Sequence, residues 1–163
     1  MSDDSRTKPL SNNLVPRRAI LVFGLVFMGG LLVLPFALYY GMARTQNQSH
    51  GMNLAVASGL PFEVRDLRPT SRENPEAGLL AVHYAIPAND RTAVGAALAP
   101  VAAIPRDTAD ALAAVSPREK FWAPDATRPG PWFAGAGVKN GLAWRALFDG
   151  TTGDLWLVAT PAR

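Results

Sequence analysis

The sequence contains no cysteine. The chain can therefore form no disulfide, no thiolate nucleophile, no cysteine-based zinc site and no iron–sulfur cluster. Histidine is almost as scarce, since His50 and His83 are the two that the chain has. No catalytic or metal-binding pattern surrounds either of them. We therefore expect no metal and no other cofactor, and the redox compartment has to be inferred from membrane topology instead.

Catalytic motifs are also missing. Ser58, Ser71 and Ser116 stand in no G-x-S-x-G context, and none has a histidine near it in sequence. The glycines between positions 135 and 141 are spaced GxGxxxG, without the Lys-Ser/Thr of a phosphate-binding loop and without a predicted helix after them. We interpret them as tight turns between strands. The sequence thus predicts no catalytic residues and no enzyme. An active site assembled from residues that are distant in sequence is the remaining alternative.

Charge is absent from residues 19–43, an apolar segment of about 25 residues. Roughly 20 residues of helix cross the hydrocarbon core of a bilayer, so this segment predicts a single transmembrane helix. Pro35 is expected to kink that helix. Because no ionisable side chain lies inside the segment, the helix by itself offers no ion pathway or proton relay.

The positive charge near this segment lies mainly before it. Residues 1–18 form a polar tail with four basic side chains, whereas the other side has Arg44 and then no basic residue before Arg65. The positive-inside rule therefore predicts a cytoplasmic tail and a C-terminal domain across the plasma membrane, which in a bacterium means the periplasm. A cleaved signal peptide is the alternative, with Gly41-Met42-Ala43 as the cleavage site. The apolar core of a signal peptide usually runs 7–15 residues, so the longer segment here favours an uncleaved anchor.

The excess of basic over acidic residues in the chain does not indicate nucleic-acid binding. The formal net charge is +3 and the isoelectric point is about 9.7. All of that excess belongs to the tail and to Arg44, because the basic and acidic residues after Arg44 are equal in number. A domain without a basic excess lacks the surface that attracts phosphate backbones.

Small residues within the apolar segment are candidates for helix packing, because they let another membrane helix approach closely. Ala37 and Gly41 have the small-xxx-small spacing, and no GxxxG motif is present. The frequent occurrence of glycine in membrane helices explains them equally well. The candidate packing residues are Gly24, Gly29, Gly30, Ala37 and Gly41.

The rest of the chain predicts a linker at 44–59 and a small α+β domain at 60–163. Apolar alternation and turn residues predict strands at 61–67, 79–86, 132–138, 142–148 and 155–160, the last two forming a C-terminal β-hairpin. Alanine-rich stretches predict short helices at 91–98 and 107–115. We expect a mostly antiparallel sheet of four or five strands with both helices on one face.

Tryptophan is dense in the C-terminal part of the domain. Trp144 and Trp156 could pair across the hairpin in a core. The proline-rich segment 121–133 favours contact with a partner protein instead, because tryptophan is enriched where proteins contact partners. The candidate partner-contact residues are Phe121, Trp122, Trp132 and Phe133.

These features favour a non-catalytic, single-pass membrane protein that serves as an accessory or assembly subunit of a larger membrane complex. Its expected partners are other membrane protein subunits and the lipid bilayer, with no nucleic acid. The alternative is a membrane-tethered module that binds or senses a ligand. This alternative predicts a concave pocket lined by tryptophan and Tyr84.

Overall fold

The computed structural model describes residues 17–115 and 122–162, with side chains from Ala19 onward. The chain divides into two compact units, Met1–Met42 and Ala43–Arg163. The first unit contains most of α1, a helix that runs from Arg17 to Ser58. The second unit, here called the domain, contains the last turns of that helix and all of the sheet.

The apolar part of α1 is long and apolar enough to cross a membrane by length and composition, although an N-terminal signal sequence meets the same criteria. Its large apolar side chains, from Ile20 to Met42, are exposed. Pro35 lies inside the helix, which continues to Ser58. Tyr39 and Tyr40 contact each other edge to face near the end of this part.

Residues 44–58 are helical, whereas the sequence predicted a linker there. One face of this stretch carries small and apolar residues that the core of the domain covers, including Leu54, which is fully buried. Gly51 lies so close to Pro69 that an added Cβ would come within 2.9 Å of the proline ring. The stretch 44–58 is amphipathic, although its many polar residues make the pattern difficult to recognise in the sequence. Burial of the apolar face favours helix over coil.

The described residues of the domain form six strands and two further helices, whereas four or five strands were expected. The strands are β1 (Thr70–Asn74), β2 (Leu79–Ala85), β3 (Ala99–Val101), β4 (Trp132–Lys139), β5 (Leu142–Asp149) and β6 (Asp154–Pro161). The helices are α2 (Ala88–Ala96) and α3 (Arg106–Val115). The sheet order is β1-β2-β6-β5-β4-β3, and every neighbouring pair is antiparallel.

The predicted strands contain three errors: 61–67 is not a strand, and neither β1 nor β3 was predicted. The stretch 61–67 alternates like a strand, but its backbone turns, with the Leu67 N–H donating to the Val64 carbonyl. Val64 is buried in the core, so this stretch covers the sheet rather than extending it. β1 was missed because its residues are polar, and an edge strand that is half exposed needs no apolar alternation. β3 was missed because it has three residues and contains Pro100.

Both faces of the sheet are covered, which corrects the expectation of helices on one face. The first face packs against the end of α1, the 60–67 segment and α2, with Val82, Tyr84 and Phe148 in its core. The second face packs against α3, with Leu112 and Trp156 in its core. Successive strand residues point to opposite faces, so each of the central strands supplies both cores.

The edges of the sheet are protected against pairing with another chain. At the β1 edge, Asn47 of α1 accepts hydrogen bonds from the backbone N–H and the hydroxyl of Ser71. The Arg72 guanidinium donates to the Ser71 carbonyl. At the other edge, Pro100 of β3 has no N–H to offer. Capping side chains and proline are devices that keep edge strands from associating.

The C-terminal hairpin formed by β5 and β6 is confirmed. Its turn contains Gly153 at a φ of 85°, which glycine adopts without strain. The pairing of Trp144 with Trp156 is wrong, since Trp144 lies opposite Ala159 and Trp156 lies opposite Leu147. The two tryptophans therefore belong to opposite faces of the sheet.

Candidate functional site

A cavity of about 680 Å³ lies over the second face of the sheet, and we call it the Trp156 pocket. Its size falls in the range of roughly 300–1,000 Å³ that is usual for ligand sites. Strands β1, β2, β5 and β6 supply its floor, and the segment 122–128 supplies a wall. The lining residues are Thr70, Arg72, His83, Trp122, Ala123, Asp125, Arg128, Asp149, Asp154 and Trp156.

The register of the sheet brings the floor residues together. Thr70 pairs with His83, and His83 pairs with Trp156 across neighbouring strands. Directly opposite residues point to the same face, so these three side chains form a row. The rings of His83 and Trp156 are 5.2 Å apart at an angle of 38°. A polar ring and an apolar ring thus lie side by side in the floor.

His83 is held by a carboxylate. Its Nε2 lies 2.9 Å from Oδ1 of Asp154, the first residue of β6. The two side chains remain 27% and 33% exposed, so solvent screens the pair. This contact orients the imidazole more than it stabilises the fold, and it leaves Nδ1 as the other ring atom available for hydrogen bonding.

Asp149 is the buried charge of the pocket, with 2% of its surface exposed. Its Oδ1 accepts hydrogen bonds from the backbone N–H groups of Thr151 and Thr152, at 2.8 and 3.2 Å. Its Oδ2 lies 3.5 Å from Nη1 of Arg128. A buried carboxylate is tolerated when its oxygens are paired in this way. Asp149 therefore both closes the hairpin turn and anchors Arg128.

The turn before β4 fixes the position of Arg128. The side chain and the backbone N–H of Thr127 donate to Asp125, and these hydrogen bonds hold the pKa of the Asp125 carboxyl below its usual value. The Arg128 N–H donates to the Asp125 carbonyl. The Arg128 carbonyl in turn accepts from the indole of Trp132, at 3.2 Å.

Trp122 differs from the other lining residues. Its carbonyl accepts a 2.8 Å hydrogen bond from the indole Nε1 of Trp156. Its own Nε1 is buried and has no hydrogen-bond partner within the described part of the chain. A buried donor without an acceptor costs about 1–3 kcal/mol, so this group is a candidate for contact with a ligand. Nothing in the sequence indicates which tryptophan would have this property, because it depends on packing.

The predicted partner-contact residues lie mainly inside the domain. Trp122 and Trp132 are 5% and 4% exposed and belong to the core of the second face. Phe133 is partly buried on the first face, with its ring 6.0 Å from that of Phe148. Phe121 lies outside the described residues. The described part of this segment therefore contributes to the core and to the pocket wall, with no large exposed aromatic surface.

Tyr84 does not line the Trp156 pocket, although a pocket lined by tryptophan and Tyr84 was expected. It lies on the first face, where its hydroxyl donates to the Gly51 carbonyl at 2.5 Å. Burial raises the pKa of the Tyr84 hydroxyl, because it disfavours the phenolate. This hydrogen bond joins the last part of α1 to the sheet.

The predicted helix-packing residues lie on the apolar part of α1. A Cβ added at Gly24, Gly29, Gly30 or Gly41 would meet nothing within 4 Å, apart from the helix itself. Ala37 is also exposed. The role of these residues in helix packing stays a prediction.

One apolar surface of the domain is exposed. Among the described residues of the domain, the large exposed apolar side chains are Met52, Val56 and Val138, at 52%, 56% and 69%. Met52 and Val56 lie one turn apart on α1 and line a groove of about 500 Å³ together with Leu60 and Phe62. We call this the Met52 groove.

Comparisons with known proteins give no functional information. The chain matches no family model, and no curated protein or solved structure is significantly similar to it. Within the described residues, no group of three or more metal-ligating side chains converges. The function therefore has to be argued from the geometry of the chain itself.

Proposed function

We propose that the protein is a non-catalytic, single-pass membrane protein that serves as an accessory or assembly subunit of a larger membrane complex. The observation that carries the proposal is helix α1, whose apolar part is exposed from Ile20 to Met42. An exposed apolar surface of this length needs lipid or protein to cover it. The excess of basic residues before it favours a cytoplasmic N-terminus and an extracytoplasmic domain in the plasma membrane.

The Met52 groove supports a protein partner for the domain. Met52 and Val56 lie on the part of α1 that packs on the sheet, with their side chains facing away from the core. Methionine suits contact surfaces because its side chain is flexible and polarizable. We propose that the groove contacts a partner subunit of the same membrane, in place of the Trp122–Phe133 segment that the sequence suggested.

The experiment is purification of the full chain from its host membrane by gentle extraction, followed by native mass determination and identification of co-purifying proteins. The wild-type chain is expected in a stoichiometric complex. Met52→Glu with Val56→Glu should reduce the co-purified partner at least tenfold, because a carboxylate in an apolar interface loses its hydration. Val138→Glu is the matched control, since Val138 is equally apolar and exposed but lies on β4.

Two results would contradict this proposal. A wild-type chain that purifies as a monomer or homodimer would contradict the function as an accessory subunit. A stable complex that tolerates the groove variants as well as it tolerates Val138→Glu would remove the groove as the contact surface.

The Trp156 pocket favours a second function, that of a membrane-tethered module that binds or senses a ligand. Two tryptophans, two arginines and a carboxylate-held histidine line a single cavity of ligand size. A concave site with an apolar wall and a few placed polar groups is the usual form of a small-molecule site. The two functions are compatible, because the Met52 groove and the Trp156 pocket lie on opposite faces of the sheet.

A further inference from the structure

We propose that the Trp156 pocket binds a neutral saccharide of one or two rings. The inference rests on the second proposed function and gives it a ligand class. It is carried by three features of the pocket: charges of both signs, hydrogen-bonding groups of both kinds that the described residues leave unused, and a cavity of about 680 Å³.

The charges in the pocket disfavour an ionic ligand. Asp149 is bound by two backbone N–H groups and by Arg128. Asp154 is bound by His83, and Asp125 by Thr127. An anion would approach three carboxylates, and a cation would approach two guanidinium groups, Arg72 and Arg128. Because an ion of either sign would meet side chains of its own sign in the pocket, a neutral polar ligand fits with the least loss.

Residues that line the pocket carry both donors and acceptors that the described residues leave unused. The buried indole N–H of Trp122 has no acceptor in residues 17–115 and 122–162. His83 and Asp154 each use one side-chain atom in their mutual contact, so Nδ1 and Oδ2 have no hydrogen-bond partner among the described residues. The hydroxyl of Thr70 stands beside His83 in the register. A sugar hydroxyl donates and accepts at once, and adjacent hydroxyls match such an alternating set of groups.

The site is built into the fold before any ligand arrives. The register of β1, β2 and β6 places the floor, and the turn at Asp125 places Arg128. The wall is attached to the floor by the hydrogen bond from the indole of Trp156 to the carbonyl of Trp122. A preformed site loses little conformational entropy on binding, which suits a ligand that offers only hydrogen bonds.

The test uses the full chain in a polyoxyethylene detergent, because an alkyl glycoside would carry a sugar headgroup into the site. Maltose, cellobiose and diacetylchitobiose are the saccharide probes, with citrate and spermidine as anionic and cationic probes. Binding is followed by calorimetry and by tryptophan fluorescence, to which Trp122 and Trp156 contribute. Saturable binding of at least one saccharide is expected.

Two variants assign the binding to this pocket. Trp122→Phe keeps an aromatic ring and removes the indole N–H, so it should weaken saccharide binding about tenfold, the size of one hydrogen bond. Arg128→Gln should weaken it by a similar factor, because it removes the ion pair with Asp149 that holds the pocket wall in place. Its melting temperature is measured as well, since Asp149 is buried and loses a partner. Arg106→Gln is the matched control and should change nothing, because Arg106 is 95% exposed on α3 and pairs with Asp110.

The outcomes separate this inference from the function on which it rests. Binding of citrate or spermidine without any saccharide would overturn the ligand class and leave a ligand-binding module. Saccharide binding that neither Trp122→Phe nor Arg128→Gln weakens would overturn the assignment to this pocket. If no probe binds, both the ligand class and the second function fail, while the accessory-subunit function keeps its own test.

Discussion

Replacing Trp156 with alanine is expected to lower the free energy of unfolding by about 3–5 kcal/mol, the usual cost of truncating a large buried aromatic side chain. Trp156 is 5% exposed and packs in the core of the second face. The change leaves a cavity and removes the 2.8 Å hydrogen bond to the Trp122 carbonyl. Chemical unfolding of the full chain in detergent, followed by near-ultraviolet circular dichroism, measures the difference.

Trp156→Phe separates the two contributions. It keeps most of the ring in place, so its cost should be about 1–3 kcal/mol, that of leaving the Trp122 carbonyl without a donor. If Trp156→Ala leaves the melting temperature unchanged, the side chain lies on the surface, and both the second core and the floor of the pocket are misplaced.

Replacing Leu54 with aspartate is expected to unfold the domain or to cost more than about 4 kcal/mol. Leu54 is fully buried in the core of the first face. The variant combines the loss of an apolar side chain with an unpaired buried carboxylate, and each of these is strongly destabilising. Limited proteolysis and unfolding of the full chain in detergent measure the effect.

Asn53→Asp is the matched control for Leu54→Asp. Asn53 precedes Leu54 on α1 and its side chain is exposed. The same carboxylate at this position should change the stability by less than about 0.5 kcal/mol, as is usual for surface substitutions. Equal effects of the two variants would mean that residues 44–58 are a linker, as the sequence suggested, and not a part of the core.

The sequence is most informative where one physical requirement dominates. The helix over the uncharged segment 19–43 could be predicted from length and apolar composition alone, and its crossing of a membrane stays a prediction. The C-terminal hairpin could be predicted because a run of turn residues separates two apolar strands. In both places, local residues decide the structure without help from distant ones.

The errors arise where distant contacts decide. The polar residues at 44–50 suggest a linker, yet Asn47 and Gly51 contact Ser71 and Pro69, far along the chain. The pocket is likewise assembled from strands and a turn that are separated in sequence. His83 has no partner within its own stretch, and the register alone brings Asp154 and Trp156 to it. Register is set by the whole sheet, so single-strand patterns cannot supply it.

The proposed function depends most directly on how the chain lies in the membrane, and the absence of cysteine makes this measurable. Ser5→Cys and Val138→Cys each introduce a single thiol, and a membrane-impermeant maleimide is applied to intact spheroplasts of a bacterial host. We expect labelling of the Val138→Cys variant in intact spheroplasts, labelling of the Ser5→Cys variant only after the membrane is opened, and retention of both in the membrane after a carbonate wash. The opposite labelling pattern, or release of the chain by the wash, would contradict the proposed topology.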